Sequence, residues 1–309
     1  MTGSVPLFIA RRLAGIVVVA IAVAAVTFLV LHGLFPETFT DTRPLVVELW
    51  HFLVRTFVHF DLGESTNRPF GEVEDLIFRG LAADAALVIG ATAAGLALGA
   101  AGGALAERHP RGPVARLLDV LALLALCTPV YVIGMAAIFV FAPDIGAPLP
   151  FFLFETHIYV PLHEDPLRSV QSLVVPWLVT GLPLAALCLR MTRASLRETA
   201  GADFVRTARA KGLRPLRVTT RHTLPVAMPP VISLAGAYMP LLIGNALLVE
   251  KVFSIPGVYR LVPSAVDLGN YPILQGLVLV SAVFVVVANG LVDLALGLLD
   301  PRVRSSSAR

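Results

Sequence analysis

The chain of 309 residues is 57% hydrophobic and only 15% charged, with a formal net charge of +3 and a mean hydropathy of +0.82. Soluble domains carry about 25% charged residues, so this composition excludes a water-soluble globular fold and indicates a polytopic membrane protein. It also leaves no room for the continuous basic face that nucleic-acid binding requires, and Cys127 and Cys188, in or beside apolar runs, read as small buried hydrophobes rather than a disulfide.

A span needs about 20 apolar residues to cross roughly 30 Å of hydrocarbon. Six stretches qualify, at 13–34, 81–106, 117–141, 173–189, 230–249 and 273–299, and none contains Lys or Arg. The first is too long for the apolar core of a cleavable signal and lacks a cleavage site, so it is expected to be a true span. The segment that follows, to about Gly80, carries eight acidic residues from Glu37 to Asp75. Within it Leu45, Leu49, Phe52, Leu53 and Phe57 recur at helical spacing beside Trp50. That spacing predicts a short helix lying on the outer membrane face or against the chain's own spans.

In the second span Gly95, Gly99 and Gly103 form a small-xxx-small stripe, which admits a close neighbour. Pro129 in the third removes a hydrogen bond to the Ala125 carbonyl and is expected to kink it. The next loop holds Glu155, His157, His163, Glu164 and Asp165, residue types able to ligate a metal. The spacing of the two histidines fits no standard site, so a solvated loop facing a partner is expected and no metal is assigned. The fifth span begins after Pro229-Pro230 and contains Pro240 and Asn245. Kinked helices there suit a path that opens alternately to each side.

Between the fourth and fifth spans, 190–225 is the longest basic interruption. Arg190, Arg193, Arg197, Arg206, Arg209, Lys211, Arg214, Arg217 and Arg221 stand against only Glu198 and Asp203. Two short helices are expected. The first runs to Lys211, Gly212 supplies a left-handed stop, and Pro215 opens the second, which should end before Pro225. With the N-terminus inside, seventeen basic residues fall on the cytoplasmic side and seven on the outer side. Both termini are therefore expected in the cytoplasm.

The order Arg206-Thr207-Ala208, three residues, Gly212, nine residues, His222-Thr-Leu-Pro225 resembles the E-A-A-x3-G-x9-I-x-L-P signature of ABC-importer permeases. The run Val205-Arg-Thr-Ala-Arg-Ala-Lys-Gly-Leu213 is close to the peptide/nickel (dipeptide/oligopeptide) branch, first-permease type. Arg206 replaces the leading Glu, as is usual in that branch, and His222 replaces the Ile. Asp61-Leu-Gly63-Glu-Ser65 resembles the D-x-G-x-S turn of the same branch. Glu250-Lys-Val-Phe-Ser-Ile-Pro-Gly257 and Asn270-Tyr-Pro272 with Gln275-Gly276 resemble its E-x-V-F-S-x-P-G and D-Y-P-x-x-Q-G elements, Asn270 standing where Asp is usual. The closing Leu291-Val-Asp293 and Leu299-Asp300-Pro301-Arg302 also match.

This resemblance implies an all-α integral membrane protein with six transmembrane helices and a cytoplasmic coupling-helix loop, the type I ABC importer permease fold. Residues 1–80 would form an N-terminal span and extracytoplasmic segment, and 81–309 a permease core domain with the coupling loop at 190–225. The loop would dock in a cleft of a cytoplasmic ATPase through Asp203, Arg206, Thr207, Ala208, Lys211, Gly212, Leu213 and Pro225, with Ala208 facing the ATPase. The implied partners are a second homologous permease subunit, two cytoplasmic ATP-binding subunits, an extracytoplasmic substrate-binding protein and the lipid of a bacterial inner (plasma) membrane. The implied cargo is short peptides, with nickel or another small solute carried by close relatives.

No phosphate-cradling G-x-x-x-x-G-K-[ST] loop and no nucleophile–base set is present in the sequence. The chain is therefore expected to be non-catalytic and to need no cofactor. A rival reading is a proton-coupled secondary transporter. Such a protein relies on ionisable groups deep in the membrane, whereas Asp84, Asp119 and Asp293 lie within two turns of span ends. They are expected to cap, snorkel or pair, Asp293 with an arginine of the basic loop. No inverted repeat relates the two halves either.

Overall fold

A computed structural model of the chain describes residues 4–34, 44–59, 61–65, 72–142 and 159–299, with side chains omitted for 4–13, 16, 34 and 291–299. Arg302, His157 and the side chain of Asp293 thus lie outside the described residues. Regular structure among the described residues is helical: α1 (Ser4–Leu34), α2 (Leu45–Val58), α3 (Val73–Arg108), α4 (Pro113–Cys127), α5 (Val130–Phe141), α6 (Pro166–Thr199), α7 (Asp203–Ala210), α8 (Pro215–Val218), α9 (Leu224–Phe253), α10 (Val262–Asp267) and α11 (Tyr271–Leu299). A π-turn, Thr219–Thr223, joins α8 to α9, and a 3-10 turn, Tyr259–Leu261, precedes α10.

The helices that contain the second, fourth, fifth and sixth expected spans are each long and apolar enough to cross a membrane. The third is not one kinked helix. It is two, α4 and α5, at 114° to each other. The residue before a proline is pushed towards extended backbone, and Thr128 adopts φ −96°, ψ 128° ahead of Pro129. The break at Pro129 is thus complete. The first expected span lies in α1, whose described apolar stretch is Val17–Gly33.

The helices divide into two compact units. The first comprises residues up to Asp84 together with Pro256–Gly290. Its core is Val73, Ile77, Val258, Ala265, Ile273 and Leu277. Helix α2 lies against α1 as its apolar spacing requires, with Phe28 stacked on Phe52 at 5.2 Å between centroids. Two of the short sequence elements, residues 61–65 and Asn270-Tyr-Pro272, meet in this unit. Gly63, at φ +93°, turns the chain after its N–H bonds to Asp61 Oδ1 at 2.7 Å. Ser65 Oγ accepts from Asn270 Nδ2 at 2.6 Å. The two carboxylate oxygens of Asp84 accept from the Val258 N–H at 3.0 and 3.2 Å. That carboxylate is buried at 2% exposure and so satisfies a backbone donor rather than facing an aqueous path.

The second unit holds Ala85–Ile255 and is built on α6, whose buried positions include Leu173, Val179, Leu184, Cys188, Leu189 and Leu196. Asp165, one of the acids weighed as a metal ligand, caps α6 instead. Its Oδ1 accepts from the N–H groups of Leu167 and Arg168 at 3.0 and 3.1 Å. Pro176 and Pro183 lie inside α6 without ending it. Along the glycine stripe, α3 and α6 touch backbone to backbone. A Cβ on Gly95 would stand 2.8 Å from Gly181 O, and one on Gly103 2.7 Å from Leu189 O. Higher up the same seam, Trp177 Nε1 donates to Ala86 O at 2.9 Å.

Candidate functional site

The basic stretch does not behave as one loop. Helix α6 continues to Thr199, so Arg190, Arg193 and Arg197 are helical residues of α6. Three residues then lead into α7. Ala202 caps it with its carbonyl, which accepts from Val205 and Arg206 N–H groups at 3.0 and 3.2 Å. Asp203 sits in the first turn, where a carboxylate suits the positive end of the helix dipole.

The stop after α7 has the paired bonds of a Schellman motif. Leu213 N–H reaches Ala208 O at 3.4 Å and Gly212 N–H reaches Arg209 O at 2.9 Å. Gly212 has φ +72°, the left-handed region that a side chain makes costly. The accompanying hydrophobic contact is also present, because Leu213 packs against the small core of Val205, Ala208 and Val218. Pro215 then opens α8 at its first position.

The second helix does not end before Pro225. The chain passes through the π-turn, where Leu224 N–H bonds to Thr219 O, and continues as α9. One extra residue in that turn carries the helix past a proline that lacks an N–H. The hydroxyls of Thr219 and Thr220 donate to the carbonyls of Pro215 and Leu216 at 3.1 and 2.9 Å. Thr223 Oγ1 donates to Val218 O at 3.3 Å.

Of the eight residues singled out for coupling, seven fall on the α7–α8 hairpin and Pro225 falls in the first turn of α9. Asp203, Arg206, Thr207, Lys211 and Gly212 are exposed, Leu213 is half-buried and Pro225 is exposed. Asp203 and Arg206 approach to 3.9 Å with both side chains exposed, a pair worth little in water. Thr207 Oγ1 donates to Asp203 O at 2.9 Å. Ala208 corrects the expectation placed on it. It is 6% exposed and turned into the hairpin's own core, because α8 folds back across that side of α7. Its small size closes the hairpin.

The large apolar side chains on the outer face are Phe204, 42% exposed, and Leu216, 52% exposed. Sequence reasoning passed over both. The available signal was their phase, since Phe204 precedes the core residue Val205 and Leu216 stands two residues from the core residue Val218, each out of helical line with it. Arg206, Arg209, Lys211, Arg214 and Arg217 are exposed as well. The hairpin therefore leaves two large apolar and five cationic side chains exposed, on a frame closed by its own core and turn.

Residues 91–305 match the family model described as binding-protein-dependent transport system inner membrane component. A putative peptide permease protein of Brucella suis is 34% identical over 268 residues, covering 85% of this chain and 81% of that protein. The dipeptide transport system permease protein DppB of Bacillus subtilis is 28% identical over 262 residues, covering 84% and 80%. Among solved structures, an inward-facing form of the MetNI methionine ABC transporter gives a TM-score of 0.56 at 17% identity, covering 76% of this chain and all of that one. At that identity the likeness concerns the fold alone.

Proposed function

Because the chain belongs to the family of binding-protein-dependent transport system inner membrane components, we propose that it is the permease subunit of an ATP-driven importer of short peptides. The α7–Gly212–α8 hairpin carries this reading. It is a self-closed rod that emerges between two long spans, is fused to one of them through a continuous helix, and displays exposed apolar and basic side chains. Such a face suits an acidic-edged cleft on a cytoplasmic ATP-binding subunit. Two such subunits would supply the hydrolysis, a second homologous permease would complete the pathway, and an extracytoplasmic binding protein would deliver the cargo. The excess of basic residues assigned to one side supports an orientation with both termini cytoplasmic.

The names of relatives favour peptides over nickel or another small solute. The spans offer few polar anchors beyond Asn245, Asn289 and scattered Ser and Thr, so selectivity would rest mainly with the binding protein. The test is reconstitution with the ATP-binding subunits, partner permease and binding protein. Labelled di- to pentapeptides should enter only with ATP and binding protein present. Uptake that persists without ATP and follows an imposed proton gradient would establish the rival secondary transporter. Nickel uptake without peptide uptake would keep the machine and change its cargo.

A further inference from the structure

Four charged side chains meet where α3 and α6 end and α4 begins. Arg197 Nε, in the last turn of α6, stands 2.9 Å from both carboxylate oxygens of Glu107 at the end of α3. Arg193, one turn earlier, approaches the same carboxylate through Nε at 3.6 Å. Its Nη1 donates to Asp119 Oδ1 on α4. The shared members are the enclosed ones, with Arg193 12% and Glu107 19% exposed. Two cations and two anions thus form a neutral chain across three helices. Single exposed pairs contribute little, whereas several charges joined in a network around an enclosed, shared carboxylate contribute more.

Its position matters more than its strength. Helix α6 ends at Thr199 and α7 begins at Asp203, so the ion pairs sit within the last two turns before the hairpin. On the other side the hairpin runs into α9 as one helix, and displacement there needs no further tie. On the α6 side, helix ends fray readily unless tied down.

We propose that Glu107, Arg193, Arg197 and Asp119 are positioning residues that clamp the end of α6 to α3 and α4, so that displacement of the hairpin is passed to those spans. The proposal rests on the function proposed above. It makes a separable demand, because the quartet touches neither the hairpin's core nor its outer face. Opening the clamp should leave ATPase association intact and reduce the uptake obtained per ATP.

The experiment uses the reconstituted complex with Cys127→Ser as background and spin labels at Arg108→Cys and Glu198→Cys, both exposed positions. Distances between the labels are measured with and without ATP, beside hydrolysis and peptide uptake. In the parent chain the distribution should be narrow and unmoved by ATP. Glu107→Gln should broaden it and lower uptake per ATP by about fivefold, within the range that coupling residues command, while subunits co-purify as before. The fully reversed quartet, Glu107→Arg and Asp119→Arg with Arg193→Glu and Arg197→Glu, keeps every pair opposite in sign and should restore both readouts. An unchanged distribution in Glu107→Gln, or reversal that restores neither readout, overturns the clamp. A clamp that behaves as expected in a complex with no ATP-dependent uptake overturns the proposed function and, with it, the coupling role.

Discussion

Glycine is required twice in the second unit, for opposite reasons. In the seam between α3 and α6, Gly99 has ordinary helical backbone, but a Cβ there would overlap Cys188 Cβ and stand 2.6 Å from Ala185 O. At the hairpin's turn, Gly212 has nothing within 4 Å of where a Cβ would lie, yet its φ is +72°. Neighbouring volume dictates the first and the residue's own backbone dictates the second. The seam should therefore fail by driving two spans apart. The turn should fail locally, with the span bundle unaffected.

The largest effect should come from the seam. Gly99→Leu must displace α6 backbone as well as side chains, an overpacking cost of about 3 kcal/mol or more. Thermal unfolding of the purified chain in detergent should show a large loss of stability, and Gly212→Ala should show little beside it. A Gly99→Leu protein that melts like the parent would mean that α3 and α6 are not in backbone contact.

Ala208→Trp comes next and tests the boundary between the two regimes. Because Ala208 is enclosed by Val205, Val218 and Leu213, an indole there overfills a small core at about 1–3 kcal/mol. Amide exchange should accelerate across 203–218 and remain slow in the transmembrane part of α6. If exchange in the hairpin is unaltered and only ATPase association falls, Ala208 faces outward after all.

These contrasts show which features were legible from sequence. The α7 stop, the left-handed Gly212 and the opening Pro215 are local, because a few neighbouring residues decide them. The stripe of Gly95, Gly99 and Gly103 was legible as an invitation to a neighbour, but its occupant, α6, depends on tertiary packing. The inward face of Ala208 was hidden for the same reason, since it depends on where α8 returns. Prolines were legible as perturbations and not as outcomes. Pro129 ends a helix, Pro176, Pro183 and Pro240 are absorbed within helices, and a π-turn carries the chain past Pro225. The ion quartet joins residues 74 to 90 positions apart in sequence, beyond any local spacing rule.

The turn itself should give a smaller effect than either packing site. Gly212→Val places a β-branched residue at positive φ, costing roughly 1 kcal/mol or more. Gly212→Asn should cost less, because Asn enters the left-handed region more readily. Ranking the two by ATP-dependent uptake separates backbone strain from lost space. Equal impairment by Asn and Val would point to a neighbour, such as a partner surface, rather than to φ.

The smallest effect on the chain itself should come from its outward apolar residues. Phe204 and Leu216 are already 42% and 52% exposed and belong to no enclosed core, so replacing both by Ser removes no enclosed contact. Exposed sites of this kind usually change stability by no more than about 0.5 kcal/mol. Melting and hairpin exchange should therefore match the parent. Under the proposed function the same side chains become buried on docking, where an apolar anchor of this size contributes roughly 1.5–3 kcal/mol when fully covered. Co-purification with the ATP-binding subunits should fall by more than tenfold while the chain remains folded. The exposed basic residues add a second signature, because docking through Arg206, Arg209 and Lys211 should weaken as salt rises. The double Ser variant should keep that salt dependence at its lower affinity. Full ATPase association by the variant would place the docking surface elsewhere and leave the hairpin as a well-folded basic turn.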